Sequence, residues 1–209
     1  VPMPCDTPSM TPTRVLLIGG PSHAGKSTLA KAVAGYLGWA LVSTDSMARH
    51  PGRPWKMEKR PVPDHVAEHY STLSVEELVA DVMRHYNGMW PDIEQLIQAH
   101  TLEETADCLV LEGSAILPER FAKAGLGYVA ACWLTADAEI LESRIHASSD
   151  YAGAASGEQA LIQKFVQRND GLNALMRDAV DFHGLDSVDT NRTTRMDELV
   201  ESCLELINR

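Results

Sequence analysis

The sequence predicts a single α/β domain: a parallel sheet of five strands with helices on both faces. Three observations predict it. Short apolar runs alternate with longer amphipathic stretches along the chain, which is the pattern of strand–helix–strand units. A glycine-rich turn, Gly20 to Ser27, joins the first apolar run to the first amphipathic one. A length of 209 residues suffices for one sizeable core but not for two ordinary domains.

Val15 to Ile18 enters Gly19 and Gly20 as a buried strand. Lys26 to Leu37 follows as a helix, with Leu29, Ala30, Val33 and Leu37 at helical spacing and Gly38 at the stop position. Trp39 to Ser43 is the second strand. Four prolines between 46 and 63 favour a loop. Helical pattern then runs, with breaks, from about Asp64 to His100. Ser74 and Glu77 form a capping-box signature there, Asn87-Gly88 is expected to end that helix, and Pro91 to start another. Cys108 to Leu111 is the third strand, Pro118 to Ala124 a short helix, Tyr128 to Leu134 the fourth strand, and Asp137 to His146 a helix. The Ser/Ala/Gly-rich residues 147 to 157 are expected to be a mobile segment. A long helix from Glu158 to His183, a short strand ending at Ser187-Val188-Asp189 and a closing helix from Met196 to Asn208 complete the order.

Composition narrows the function classes. With 44% hydrophobic and 22% charged residues the chain is neither disordered nor collagen-like. Its 18 basic and 29 acidic residues give a net charge of −11, which argues against a grip on a long phosphate backbone but leaves room for a small anionic ligand at a local basic patch. The four cysteines form no CxxC pair, and Cys108 and Cys132 sit in apolar runs as small hydrophobes. No apolar run reaches the roughly 18–20 residues of a membrane span. The Pro/Thr-rich residues 1–13 are expected to be a loose arm before a single domain from 14 to 209. These features together suggest a soluble cytoplasmic protein.

The strong motif is Gly20-Pro-Ser-His-Ala-Gly25-Lys26-Ser27, which matches G-x-x-x-x-G-K-[ST] with a strand before it and a helix after it. Its glycines let the backbone N–H groups of Ser22, His23, Ala24 and Gly25 turn inward around a phosphate, and the helix start adds its positive dipole end. Lys26 supplies a point charge to the β and γ phosphates of ATP, and the Ser27 hydroxyl suits Mg²⁺. Thr28 either contacts the α phosphate or is an ordinary helix residue. His23 either donates to the γ phosphate or acceptor, or points to solvent. No guanine-reading N-K-x-D follows a later strand, and an AAA-type machine would need more chain.

Asp45 follows the second strand directly, where open α/β sheets bind ligands. A kinase needs a carboxylate there to take the acceptor hydroxyl's proton; a helix N-cap is the plainer role. Glu112, at the end of the third strand, has the position of a Mg²⁺-binding acid, an acceptor contact or a capping acid. Arg49, Arg53, Lys56, Lys59 and Arg60 crowd into twelve residues opposed only by Glu58. They form either a pocket for an anionic acceptor, walled by Trp55, or a solvated loop. Arg53 and Lys56 flank Trp55, so at least one is expected to point into the site. His65 and His69 stand at i, i+4 but without a nearby acidic partner set, and are expected to face solvent or lie beside substrate.

The loop, the strand-then-Asp with Arg49 nearby, and the short last strand resemble the small ATP-dependent kinases of the P-loop superfamily. Within it the chain is similar to the polynucleotide-kinase and zeta-toxin-like group with the chloramphenicol phosphotransferases; Leu111 to Pro118 also resembles 2-phosphoglycerate kinases. The resemblance implies a three-layer P-loop fold with sheet order 2-3-1-4-5 and a helical lid at about 144–168. It implies ATP and Mg²⁺, with Lys26 and Ser27 holding MgATP. It places Arg144 on ATP and sets Asn191, in Asp189-Thr190-Asn191-Arg192, beside adenine. Lys164 and Arg168 share a helix face at i, i+4, so both are expected to reach one phosphate from the lid. The expected partner is a small hydroxyl acceptor, with an anionic group if the basic island reads it, and with neither nucleic acid nor membrane; the chain is a monomer or homodimer. The rival function is an ATP-binding or ATPase module with a regulatory role, and a nucleic-acid kinase ranks below it.

Overall fold

The computed structural model describes residues 13–47, 52–56, 61–103, 106–191 and 195–209. The expected loose arm lies almost wholly outside the described residues, as do Arg49, Lys59 and Arg60. The elements are β1 (Val15–Gly19), α1 (Lys26–Leu37), β2 (Ala40–Ser43), α2 (Asp64–Thr72), α3 (Val75–Leu102), β3 (Leu109–Glu112), α4 (Pro118–Ala124), β4 (Val129–Thr135), α5 (Ala138–Ser149), α6 (Ser156–His183), β5 (Ser187–Asp189) and α7 (Met196–Ile207). Three-residue 3-10 turns occupy Thr44–Ser46 and Tyr151–Gly153.

All the strand pairs are parallel and the order is β2-β3-β1-β4-β5, as the sequence resemblance implies. The central strands are apolar on both faces because both faces are covered. Leu16, Ile18, Val110, Cys132 and Leu134 point toward α1 and α7, where Leu29, Ala30, Val33, Cys203 and Leu206 meet them. Val15, Leu17, Leu109, Leu111 and Trp133 point the other way, toward Met89, Trp90, Ile93 and Ile97 of α3 and Val180 of α6. A third cluster lies off the sheet. In it Trp55, Val66 and Tyr70 pack with Leu78, Ile145, Ile162, Phe165 and Val166, joining α2 to α3, α5 and α6. Cys108 is only half-buried, whereas Cys132 is fully enclosed.

Two expectations give way. The helix expected to end at Asn87-Gly88 continues through Pro91, so α3 is one helix of 28 residues. An interior Gly costs about 1 kcal/mol and an interior Pro about 3 kcal/mol. Met89, Trp90, Ile93 and Ile97 are all buried beyond Gly88, and each such side chain stabilises by roughly 1.5–3 kcal/mol. The single apolar face therefore outweighs both local breakers. Asn87 is also held on either side: its Nδ2 donates to the Met83 carbonyl at 2.8 Å and its Oδ1 accepts from Arg120 Nε at 2.7 Å.

Residues 147–157 are not a long irregular segment, because α5 extends to Ser149 and α6 begins at Ser156. The short link is fixed by Asp150 in a left-handed conformation, by Tyr151 stacked on His146 at 4.0 Å, and by Glu158 accepting from the Ala155 N–H at 3.1 Å. The Ser74–Glu77 capping box forms as expected, and left-handed Gly38 ends α1.

Register sets the level of the site. Glu112 aligns with Ile18 on one side and Ser43 on the other. The turns after β1, β2 and β3 therefore emerge side by side at the carboxyl edge of the sheet, where open α/β folds bind ligands.

Candidate active site

The turn after β1 carries the glycine-rich motif. Gly25 holds φ at +100° as the residue before α1, a conformation open to glycine and strained for other residues. The backbone thereby presents the amino end of α1 to the space above it. Lys26 is buried and donates from Nζ to the Pro21 carbonyl at 2.7 Å. Burial pushes its ammonium down to about 8, against the pull of Glu112 and Asp45, while Arg53 adds to the lowering. The Ser27 hydroxyl donates to Glu112 Oε1 at 3.1 Å.

Asp45 lies in the 3-10 turn directly after β2. Ser43, not Asp45, caps that turn: its hydroxyl accepts from the Asp45 N–H at 3.4 Å. Among the described residues the Asp45 carboxylate caps no turn or helix. At the end of β3, Gly113 (φ +153°) packs so closely on Thr44 that an added Cβ would stand 1.8 Å from its Oγ1. The β3 exit and the Asp45 turn thus touch through a position that only glycine fits.

These turns open into one cavity of about 770 Å³. Ser22, His23, Gly25, Lys26, Ser27 and Thr28 of the loop line it, together with Asp45, Glu112 and Ser114 from the exits of β2 and β3. Arg53, His65, His85, Tyr86, Met89, Phe165 and Arg168 complete the lining. Of the residues singled out from sequence, the fold therefore gathers the phosphate loop, Asp45, Glu112, Arg53 and Arg168 around one space.

Others go elsewhere. Gly20 sits at the strand exit against the Leu134 backbone, and Ala24 packs into the core beneath the loop. Trp55, expected as an acceptor wall, is buried edge-on against Phe165 at 4.9 Å in the third cluster, where its apolar surface leaves water. Lys56 is 64% exposed and pairs with Glu158 at 3.4 Å near the start of α6, so of the two cations flanking Trp55 only Arg53 reaches the cavity. Lys164 does not share a target with Arg168: its Nζ donates to the Ser71 and Leu73 carbonyls, capping α2. Arg144 donates to the His23 carbonyl at 3.3 Å and the Thr190 carbonyl at 2.6 Å, and so ties the phosphate loop to the β5 exit. Asn191 accepts from the Asp137 N–H at 2.5 Å, outside the cavity lining.

Several contributors carry no motif. Asn169 of α6 brackets Ser22, accepting from its N–H at 2.9 Å and donating to its carbonyl at 3.2 Å, which fixes the loop from the opposite layer. His23 adopts φ +64° and hydrogen-bonds Ser22 Oγ at 3.0 Å and Ser148 Oγ at 2.8 Å. Burial lowers it to about 4, with Arg53, Lys26 and Arg144 adding to the effect, so it is neutral at neutral pH. Tyr86 lines the cavity from α3; burial raises its hydroxyl, Arg168 opposes that and Asp45 adds to it. The signal for Asn169 was a polar residue inside the apolar stripe of α6, between Phe165 and Leu172.

Ser27 and Glu112 offer hard oxygen donors side by side, a set that fits Mg²⁺. Among the described residues no helix is long and apolar enough to cross a membrane.

No protein-family model matches the chain, and no curated protein matches it either. Solved structures do. A shikimate kinase from Acinetobacter baumannii in complex with shikimate superposes with a TM-score of 0.51 at 15% identity, over 95% of this chain and 94% of that one. A deoxyadenosine kinase from M. mycoides superposes with a TM-score of 0.51 at 14% identity, over 93% and 98%. At this identity the likeness concerns the architecture: the chain has the three-layer fold of the P-loop kinases, with its parallel sheet in the order β2-β3-β1-β4-β5.

Proposed function

We propose that the protein is an ATP-dependent phosphotransferase that moves the γ-phosphoryl group of MgATP to a hydroxyl of a small molecule. One observation carries the reading: Asp45, Lys26, Ser27 and Glu112 line a single cavity. A phosphate-binding loop alone would serve a switch equally well. A carboxylate bordering the same cavity as that loop is what acceptor chemistry requires.

In this reading the loop N–H groups and Lys26 hold the triphosphate, while Ser27 and Glu112 hold Mg²⁺. Bound Mg²⁺ supplies charge neutralisation between the β and γ phosphates. Asp45 orients the acceptor hydroxyl and takes its proton as the new O–P bond forms and the bond to the β-phosphate oxygen breaks, releasing ADP. Arg53 lies near Lys26 and His23 and adds positive charge on the phosphate side. Arg144 and Asn169 position the loop. The segment 144–168, from α5 into α6, is the lid, which excludes water and so limits hydrolysis. The solved structures named as kinases of shikimate and of a deoxynucleoside support a small hydroxyl acceptor. Within the superfamily we infer kinship with the polynucleotide-kinase, zeta-toxin and chloramphenicol-phosphotransferase group.

The test is a screen of metabolites and antibiotics for acceptor-dependent ADP release, with two variants. Lys26→Ala should lose nucleotide affinity by at least about a hundredfold. Asp45→Asn should keep nucleotide affinity and lose turnover by about a hundredfold or more. Turnover retained in Asp45→Asn removes the proton-accepting role. ADP release that ignores every acceptor favours the ATPase or regulatory module instead.

A further inference from the structure

Arg168 stands out among the cavity's charged groups. It is 5% exposed, on the buried face of α6. Its guanidinium lies 4.6 Å from the Phe165 ring centroid and 5.8 Å from that of Tyr70, and Nη1 donates to the Tyr70 hydroxyl at 2.9 Å. Nε is buried with no hydrogen-bond partner. Among the described residues no carboxylate pairs with it, although the chain carries 29 acidic residues and a net charge of −11. A guanidinium has five N–H donors in a rigid fork, and burying one without an anion is costly. Two aromatic faces and one phenol hold this one in place and leave its charge uncompensated.

Its position gives the charge a target. The phosphate loop has its own cations: Lys26 and His23 both feel Arg53, and His23 also feels Arg144. Arg168 acts on a different set, namely Tyr70 and His69 of α2 and Tyr86 of α3. Tyr86, Ser114, Asp45 and Arg168 line the same cavity, and Tyr86 feels the charges of both Arg168 and Asp45. The group that would receive the acceptor's proton and the buried guanidinium therefore border one space. Arg53 and Arg168 thus exchange the roles their sequence positions suggest, Arg53 serving the phosphate side and Arg168 the α2–α3 side.

We propose that Arg168, clasped by Phe165 and Tyr70, is the specificity residue for an anionic group, carboxylate or phosphate, carried by the acceptor beside its reacting hydroxyl. This rests on the phosphotransferase reading of the same cavity and names the class of its second substrate. The fork suits a two-oxygen anion, and the aromatic clasp fixes the fork before the acceptor arrives, so little ordering is lost on binding.

The experiment separates this claim from the reading beneath it. Nucleotide affinity is measured first, with Mg²⁺ and a non-hydrolysable ATP analogue, on wild type, Arg168→Met and Arg168→Lys. Failure of the wild type to bind the analogue overturns the phosphotransferase reading and this proposal with it. With the analogue saturating, so that the phosphate loop is filled, inorganic phosphate is titrated at constant ionic strength and the melting temperature followed. The expected result is a saturable rise in Tm for wild type. Arg168→Met should need at least tenfold more phosphate for the same rise, Arg168→Lys should fall between, and analogue affinity should stay within about twofold throughout. A wild-type complex blind to phosphate overturns the proposal, as does an equal response in Arg168→Met or a larger loss of analogue than of phosphate binding. If Arg168→Met gives no cooperative melt, Arg168→Lys decides, and a phosphate response equal to wild type refutes the claim. In the acceptor screen, the substrate used should carry a carboxylate or phosphate; a neutral preferred acceptor refutes it as well.

Discussion

The two ends of the cavity are built in different ways. The phosphate end of the proposed site comes from one unbroken stretch, Gly20 to Thr28, whose backbone would do the binding. The α2–α3 side gathers His65 from α2, His85 and Tyr86 from α3, and Arg168 from α6. In the first case sequence neighbours are spatial neighbours. In the second, more than a hundred residues separate His65 from Arg168, and only the packing of three helices brings them to one space. A function written into backbone conformation is encoded locally, whereas one written into side-chain convergence is encoded by the core.

The seam between the two ends offers the largest test of that contrast. Gly113 is where the β3 exit meets Thr44, the residue before Asp45. In Gly113→Ala, the methyl would overlap Thr44 Oγ1 and the backbone would be strained at its φ of +153°. We expect destabilisation on the order of 3 kcal/mol and a fall in Tm of roughly 10 °C. Displacement of the Asp45 turn should lower turnover by at least about tenfold, while the nucleotide Kd changes little. A melting curve and a Kd measurement suffice. If turnover falls only in step with nucleotide affinity, the two ends are not joined at this point.

This division also explains what the sequence disclosed. Strand order, the phosphate loop, Asp45 and Glu112 were legible because each sits at a strand exit, and parallel strands bring their exits to one edge. The α3 boundary was misread because Gly88 and Pro91 are local signals, while the apolar face from Leu78 to Ile97 answers to α6 and the sheet. Trp55 and Lys56 were misplaced for the same reason. Sequence proximity to Asp45 put them at the site, but the cluster around Phe165 took the indole and Glu158 took the ammonium. Arg168 was expected at the nucleotide from its place in the lid that the resemblance implies, and nothing local told that its guanidinium would lie against Tyr70.

Lys26 gives a second, smaller test confined to the phosphate end. Burial holds its ammonium at about 8 in the free protein. A bound triphosphate favours the charged form and so raises that value. Below about pH 7 the lysine is charged in both states and the group adds no pH dependence. Above pH 8 the free protein has lost the proton that the complex keeps, so binding must take one up and affinity falls, approaching tenfold per pH unit. Titration calorimetry at pH 7, 8 and 9, in buffers of differing ionisation enthalpy, reads both the Kd and the proton. A Kd unchanged from pH 8 to 9 with no proton uptake would show that Lys26 is fully charged before the nucleotide arrives.

The smallest expected effect lies where the phosphate end meets α5. His23 is held neutral, at about 4, first by burial and then by Arg53, Lys26 and Arg144, and its ring bridges Ser22 and Ser148. In the unfolded chain a histidine titrates near 6.5. Between those two values the unfolded state binds the extra proton, so stability rises with pH there and falls as the solution is acidified from about 6.5 toward 4. His23→Asn removes the titrating group while tolerating the left-handed φ of +64°. Two changes should therefore appear together in melting curves taken from pH 7.5 to 4.5. The variant should melt slightly lower at pH 7.5, where the bridge to Ser148 is lost, and its Tm should decline less steeply with acid. Parallel curves for the two proteins would mean that His23 titrates normally and that the cations around it act too weakly to matter. The opposite end of the cavity should be indifferent to this change, so a shifted acceptor KM in His23→Asn would mean that the loop and the α2–α3 side are coupled through the imidazole.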